Sequence, residues 1–98
     1  MKKLNMLLNR LEKQKPLLKK LYKVKNIGIF GSYSKGQQNV QSDLDILVEF
    51  SKPIGLLDYL SLEEKLSICT KKKVDLVMKS ALKPKIGERI LKEVVYVK

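Results

Sequence analysis

Residues 43 to 50 alternate strictly, with Leu44, Ile46, Val48 and Phe50 on one side and Asp43, Asp45, Leu47 and Glu49 on the other. A period of two belongs to an extended strand, so this segment predicts a β-strand with an apolar face and an opposite face carrying two carboxylates. Such a strand needs neighbours to pair with and helices to cover its apolar side.

The rest of the chain supplies both. Val24 to Phe30 is a compact apolar run that leads into Gly31-Ser32, the signature of a buried strand entering a turn, and Val74 to Met78 reads as a third strand. Leu4, Leu7, Leu8 and Leu11 fall at helical spacing, and Pro16 stops that helix or opens another carrying Leu17, Leu18 and Leu21, so two short helices are expected. A short helix follows Ser32, whose hydroxyl suits an N-cap. Gly36 to Ser42, polar with Gln37, Gln38, Asn39 and Gln41, is a loop. Beyond Pro53 and Gly55, the spacing of Leu56, Leu57, Leu60, Leu62, Leu66 and Cys69 predicts one or two helices, ended by Lys71-Lys72-Lys73. Pro84 precedes a last helix with Ile86, Ile90, Leu91 and Val94 or Val95 on its apolar side. The order α-α-β-α-β-α-β-α describes an α/β (α+β) fold in one domain, residues 1–98.

Composition narrows the chemistry. With 98 residues there is room for one core and none for a separate substrate domain, so a large acceptor must be held partly from outside. The chain has no histidine, which removes Ser-His-Asp and Cys-His triads and His-bearing zinc sites. Cys69 is the single cysteine and cannot form an internal disulfide; it is expected in or near the core of a protein from a reducing compartment. Met1-Lys2-Lys3-Leu4 imitates the start of a signal peptide, but Asn5, Asn9 and Arg10 interrupt it, and no run reaches membrane-spanning length. A cytoplasmic protein with no membrane partner is the expectation.

The formal net charge of +11 is unevenly laid out. Residues 1–26 hold nine basic and one acidic side chain, residues 27–70 three and six, and residues 71–98 nine and three, for net charges of +8, −3 and +6. Carboxylates concentrated in the middle of a basic chain need a cation or a structural reason. The arms could attract nucleotides, RNA or an acidic protein, or simply solvate helix faces.

One constellation carries chemistry. Gly31-Ser32 at a strand-to-helix turn lets the backbone approach a phosphate while the hydroxyl and turn amides offer donors. Asp43 and Asp45, two residues apart on a strand, could hold one divalent cation or two adjacent ones, and Mg²⁺ suits carboxylates and phosphate oxygens. Asp75 lies mid-strand between Val74 and Leu76, where burial would be costly without a positive partner. Gly31 to Gly36 has P-loop spacing, but Gln37-Gln38 stand where Lys and Ser/Thr are required. Three acids with two metals describe a phosphoryl-transfer site.

The pattern Gly31-Ser32-Tyr33-Ser34-Lys35-Gly36 followed by Ser42-Asp43-Leu44-Asp45 resembles the minimal nucleotidyltransferases of the DNA polymerase β superfamily. The resemblance extends through Ile54-Gly55-Leu56-Leu57-Asp58, Val74-Asp75-Leu76-Val77 and Leu82-Lys83-Pro84, segments similar to the small MntA-type antitoxins of that group. It implies one small nucleotidyltransferase domain with a mixed sheet of about three or more strands flanked by helices. It also implies Mg²⁺-dependent transfer of AMP from ATP to a tyrosine of a partner HEPN-domain toxin, in a hetero-oligomer of toxin and antitoxin. Asp43, Asp45 and Asp75 would then be the catalytic and metal-binding residues, with Asp75 as candidate base, and Gly31 and Ser32 would hold the nucleotide's phosphates. The resemblance is imperfect at Ser34-Lys35, where many members have Ala-Arg; lysine keeps the charge and loses the bidentate fork. Two other readings stand beside it: an antitoxin that occludes its toxin without catalysis, and a basic RNA-binding module, for which the scattered Tyr22, Tyr33, Tyr59 and Tyr96 offer no stacking platform.

Overall fold

The computed structural model describes residues 2–98; Met1, at the basic start of the sequence, lies outside the described residues. Its elements are α1 (Lys2–Tyr22), β1 (Val24–Phe30), α2 (Ser32–Lys35), β2 (Leu44–Phe50), α3 (Leu56–Thr70), β3 (Val74–Met78), a 3-10 turn (Lys79–Ala81), α4 (Pro84–Glu93) and β4 (Val95–Tyr96). The strands form one mixed sheet in the order β3-β2-β1-β4, with β1 antiparallel to β2 and β4 and with β2 parallel to β3.

The alternation of β2 does what its period dictates. Leu44, Ile46 and Val48 are fully buried and join Ile27 and Ile29 of β1, Val74 and Leu76 of β3, and leucines of α1 and α3 in one core. Leu47, on the opposite face, is also buried, beside its β1 partner Gly28. Gly28 sits where a Cβ would come within 2.7 Å of a Val94 methyl and 2.9 Å of the Val95 carbonyl oxygen, so its missing side chain lets the end of α4 lie flat on this second face.

Several expectations are corrected. Pro16 does not end the first helix: α1 runs through it unbroken. A proline inside a helix costs about 3 kcal/mol through its missing N–H and its clash with the preceding turn. Leu4, Leu7, Leu11 and Leu18 nevertheless share one buried face, and breaking the helix at Pro16 would withdraw Leu18, which is 0% exposed, from the core. Burial of a leucine is worth about 1.5–3 kcal/mol, enough together with half-buried Tyr22 to offset the proline. Leu17 and Leu21, by contrast, face outward. Of the one or two helices expected beyond Gly55, a single one fills 56–70. Its last turn places Cys69 half-buried near the core, its thiol 3.8 Å from the Arg10 carbonyl. The last helix stops at Glu93, Ile86 and Leu91 remain exposed, and Val95–Tyr96 form a strand that sequence reading did not anticipate. That strand is held by Val97 N–H donating to the Ile27 carbonyl at 2.8 Å, with the Lys15 ammonium on the Val97 carbonyl at 3.2 Å. Among the described residues no helix is long and apolar enough to cross a membrane.

Candidate active site

The sequence-predicted residues gather at one edge of the sheet, where β1 ends and β2 and β3 begin. Asp45 is the cross-strand partner of Phe30 on one side and of Asp75 on the other, so the two carboxylates project side by side from neighbouring strands on the face opposite the main core. Gly31 follows Phe30 directly, and its contact with Asp45 is close: a Cβ there would collide with the carboxylate, coming within 3.1 Å of Cγ. Gly31 also has φ +74° and ψ −147°, a conformation almost confined to glycine. Backbone and neighbour thus demand glycine independently, and the turn and the first carboxylate strand form one unit.

Local hydrogen bonds set this turn. The Ser34 hydroxyl donates to the Gly31 carbonyl at 2.9 Å, and Gly36, at φ +70°, closes α2 by donating its N–H to the Ser32 carbonyl. Tyr33, 1% exposed, anchors the short helix in the core. Ser34 is therefore a staple of the loop. Ser32 is the first residue of α2 and not its cap, because Gly31 occupies the cap position; the Ser32 hydroxyl is left to point elsewhere.

Asp43 and Asp75 differ from expectation. β2 begins at Leu44, so Asp43 lies in the extended approach to the strand, exposed at the rim. Asp75 is exposed, and the buried acid needing a positive partner is not realised. Among the described residues the ion pairs are Lys35–Glu93 at 3.4 Å, Lys79–Glu49 at 3.8 Å and Arg89–Glu93 at 3.9 Å, and none reaches Asp43, Asp45 or Asp75. In a chain with 21 basic residues, three neighbouring acids thus stand without a side-chain cation. The electrostatic consequence appears at Asp45, whose carboxyl is pushed up from 3.8 to about 6 by burial first, then by Asp75, then by Asp43.

This donor set fits Mg²⁺ in a particular way. Among the described residues no three acidic, thiol or imidazole side chains are drawn together as a ready-made cation cage. Asp45 and Asp75 as neighbours, with Asp43 at the rim, instead offer the one or two carboxylates that Mg²⁺ completes with water and substrate phosphates. A cavity of about 680 Å³ lies at the far end of β2, between Glu49, Phe50, Met78 and Lys79, and another of about 580 Å³ lies between α1 and α3 beside Arg10, Tyr22 and Cys69. Neither includes the carboxylates.

Two features of the site were not legible beforehand. The Leu44 N–H donates to the Lys73 carbonyl at 2.8 Å, which brings the Lys71–Lys73 turn against the approach to Asp43. Glu93 of α4 reaches Lys35 of α2, joining the C-terminal helix to the glycine turn. The lysine run was visible only as a helix end, and pairs 58 residues apart leave no local pattern.

The geometry agrees with comparisons to known proteins. The family model described as nucleotidyltransferase domain matches residues 11–97. Over 80 residues the chain is 48% identical to protein adenylyltransferase MntA of Thermococcus cleftensis, covering 82% of this chain and 81% of that protein. A solved structure provisionally named a minimal nucleotidyltransferase superposes with a TM-score of 0.80 at 32% identity, covering 94% of this chain and 93% of the other. A crystal structure of a toxin-antitoxin with AMP-PNP superposes with a TM-score of 0.74 at 27% identity, covering 92% of this chain and 73% of the other. With its glycine turn folded onto a carboxylate strand and its match running from α1 to the last residues, the chain belongs to the nucleotidyltransferase family, as a minimal nucleotidyltransferase of the MntA type.

Proposed function

We propose that the protein transfers AMP from ATP to a tyrosine hydroxyl of a HEPN-type toxin, in a Mg²⁺-dependent reaction that makes it the antitoxin of a toxin-antitoxin pair. The observation that carries this reading is the contact of Gly31 with Asp45 beside Asp75, two neighbouring carboxylates that no ion pair among the described residues reaches, next to a glycine turn. The name of the Thermococcus cleftensis relative and the AMP-PNP in the toxin-antitoxin neighbour support the nucleotide and the class of partner.

In this reaction Gly31 and Ser32 hold the terminal phosphates, Gly31 by leaving the backbone accessible and Ser32 by its hydroxyl. Asp43, Asp45 and Asp75 would hold the Mg²⁺ ions. Held there, Mg²⁺ would supply positive charge to offset the phosphates and the charge that develops at the α-phosphoryl group. Asp75 takes the proton from the incoming tyrosine hydroxyl as its oxygen bonds to the α-phosphorus, and the bond to the β-phosphate oxygen breaks with release of pyrophosphate. The fold contributes mainly positioning, since phosphoryl transfer asks little covalent chemistry of the protein.

The test uses α-labelled ATP, Mg²⁺ and a purified HEPN-type toxin. Wild type is expected to label the toxin on tyrosine, and Asp45→Asn to label it at less than about a hundredth of that rate while remaining folded. An active Asp45→Asn variant refutes the assignment. Full neutralisation of the toxin by an inactive variant assigns the antitoxin effect to occlusion.

A further inference from the structure

We propose that the Lys71–Lys73 turn at the β3 edge is the docking surface for an acidic segment of the acceptor protein, adjoining the hydroxyl that is modified. The inference rests on the transfer reaction proposed above and adds where the acceptor binds and what recognises it.

The direction of approach follows from sheet order. The glycine turn that holds the leaving phosphates ends β1, Asp45 is next on β2, and Asp75 follows on the edge strand β3. Strands stand about 4.8 Å apart, so the line from Gly31 to Asp75 spans about 10 Å across the face. In-line displacement brings the nucleophile in opposite the leaving group, and hence from the β3 side. The β1 side is closed: Val94 lies on Gly28, β4 pairs with β1, and Glu93 ties α4 to Lys35. The β3 side is open on this face, where Asp75 and Lys73 are both exposed.

Lys71–Lys73 sits at that entrance. Lys73 precedes β3 and, two residues before Asp75, shares its side of the strand, while its carbonyl receives the Leu44 N–H next to Asp43. Lys71 is exposed, in a left-handed conformation with φ +58° that turns the chain outward from α3. Neither lysine is in an ion pair among the described residues. Extension of the sheet by a partner strand is disfavoured here. The Val74 N–H donates to the Ser67 hydroxyl at 3.3 Å, the Leu76 N–H to Glu63 at 3.4 Å, and the Leu76 carbonyl accepts from Tyr59, so α3 already satisfies the β3 edge. What remains for a partner is a cluster of positive charge, which an acidic segment complements. Single-stranded RNA is disfavoured because no free aromatic platform adjoins the lysines: of the aromatics on the neighbouring elements, Phe30 and Tyr33 are buried, and Phe50 and Tyr59 pack edge to face.

The test compares wild type, Lys71→Glu/Lys73→Glu, the charge-keeping Lys71→Arg/Lys73→Arg, and Lys19→Glu/Lys20→Glu, which makes the same charge change beyond the far end of β1. A purified HEPN-type toxin is the acceptor, and AMP-PNP with Mg²⁺ is the nucleotide-binding probe. For the Glu variant at positions 71 and 73, KM for the toxin is expected to rise about tenfold or more, with kcat and AMP-PNP affinity within about twofold of wild type. The Arg variant should restore KM, the change at 19 and 20 should have a much smaller effect, and high salt should close the gap. An unchanged KM overturns the inference, as does an equal effect from positions 19 and 20. A parallel loss of AMP-PNP affinity overturns it by giving the lysines to the triphosphate. Loss of RNA binding with unchanged transfer overturns it by giving them to nucleic acid. If wild type labels no toxin, the reaction proposed above fails and docking is judged by complex affinity alone: a tenfold weakening in the Glu variant supports it and an unchanged affinity overturns it.

Discussion

Replacing Asp45 with Asn is expected to stabilise the free protein while ending transfer. The Asp45 carboxyl lies at about 6 in the folded chain against an ordinary 3.8, raised by burial, then Asp75, then Asp43. Between those values the folded state binds a proton that the unfolded state has released. The stabilising contribution of this proton is fully present below the unfolded value and is lost as pH rises through about 6, so at neutral pH the ionised carboxylate works against folding. At about 1.4 kcal/mol per pH unit the displacement corresponds to about 3 kcal/mol. The side chain is only half-buried, and solvent screening reduces this to about 1–2 kcal/mol. In a domain of this size each kcal/mol moves Tm by about 4–8 °C, so at about pH 7, with chelator and no nucleotide, the Asn variant should melt about 5–10 °C above wild type. The difference should shrink towards about pH 4, where wild-type Asp45 is protonated in the folded protein. Adding Mg²⁺ and AMP-PNP at ten times the dissociation constant should stabilise wild type by about 1.4 kcal/mol and leave the variant nearly unmoved. An Asn variant that melts at or below wild type at neutral pH would refute the electrostatic account of the carboxylate cluster.

Other substitutions probe the scaffold. Gly31→Ala places a Cβ against the Asp45 carboxylate at φ +74°, and should cost about 1–3 kcal/mol by urea titration and remove nearly all transfer; near-wild-type activity would show that the turn is dispensable. Gly28→Ala must displace Val94 and the backbone of Val95, for an expected loss of about 1–3 kcal/mol and faster hydrogen exchange at the Val97 amide, whose slow exchange in the variant would contradict the packing. Tyr33→Ala empties a site 1% exposed and should cost about 3–5 kcal/mol, measured as a fall in the denaturation midpoint; a loss below 1 kcal/mol would mean that α2 is not anchored there.

The candidate site was legible because its parts are local. Gly31-Ser32 and the Asp43-Leu44-Asp45 segment are short patterns whose backbone needs can be read from residue type, and the period of two in β2 put Asp45 away from the core. Asp75 was legible as a strand acid but not as an exposed one, because exposure depends on what covers the face. Pro16 was misread because its local cost is explicit in the sequence while the burial of Leu18, which offsets it, is not. β4 is two residues long and has no period of its own; it exists because Gly28 lets the chain lie against β1.

By itself the sequence determined three things: an apolar-faced strand bearing an acid on its other side, a glycine turn at the end of the preceding strand, and a chain without imidazole chemistry. These are properties of residue type and spacing within a few positions. Only tertiary structure decided that Gly31 touches Asp45, that Asp45 lies beside Asp75, that α3 side chains bond to the β3 edge, and that the Lys73 carbonyl takes the Leu44 N–H beside Asp43. Each is a contact between segments far apart in the chain, fixed by strand register and by burial of the shared core, and register is set by the whole sheet rather than by any strand within it.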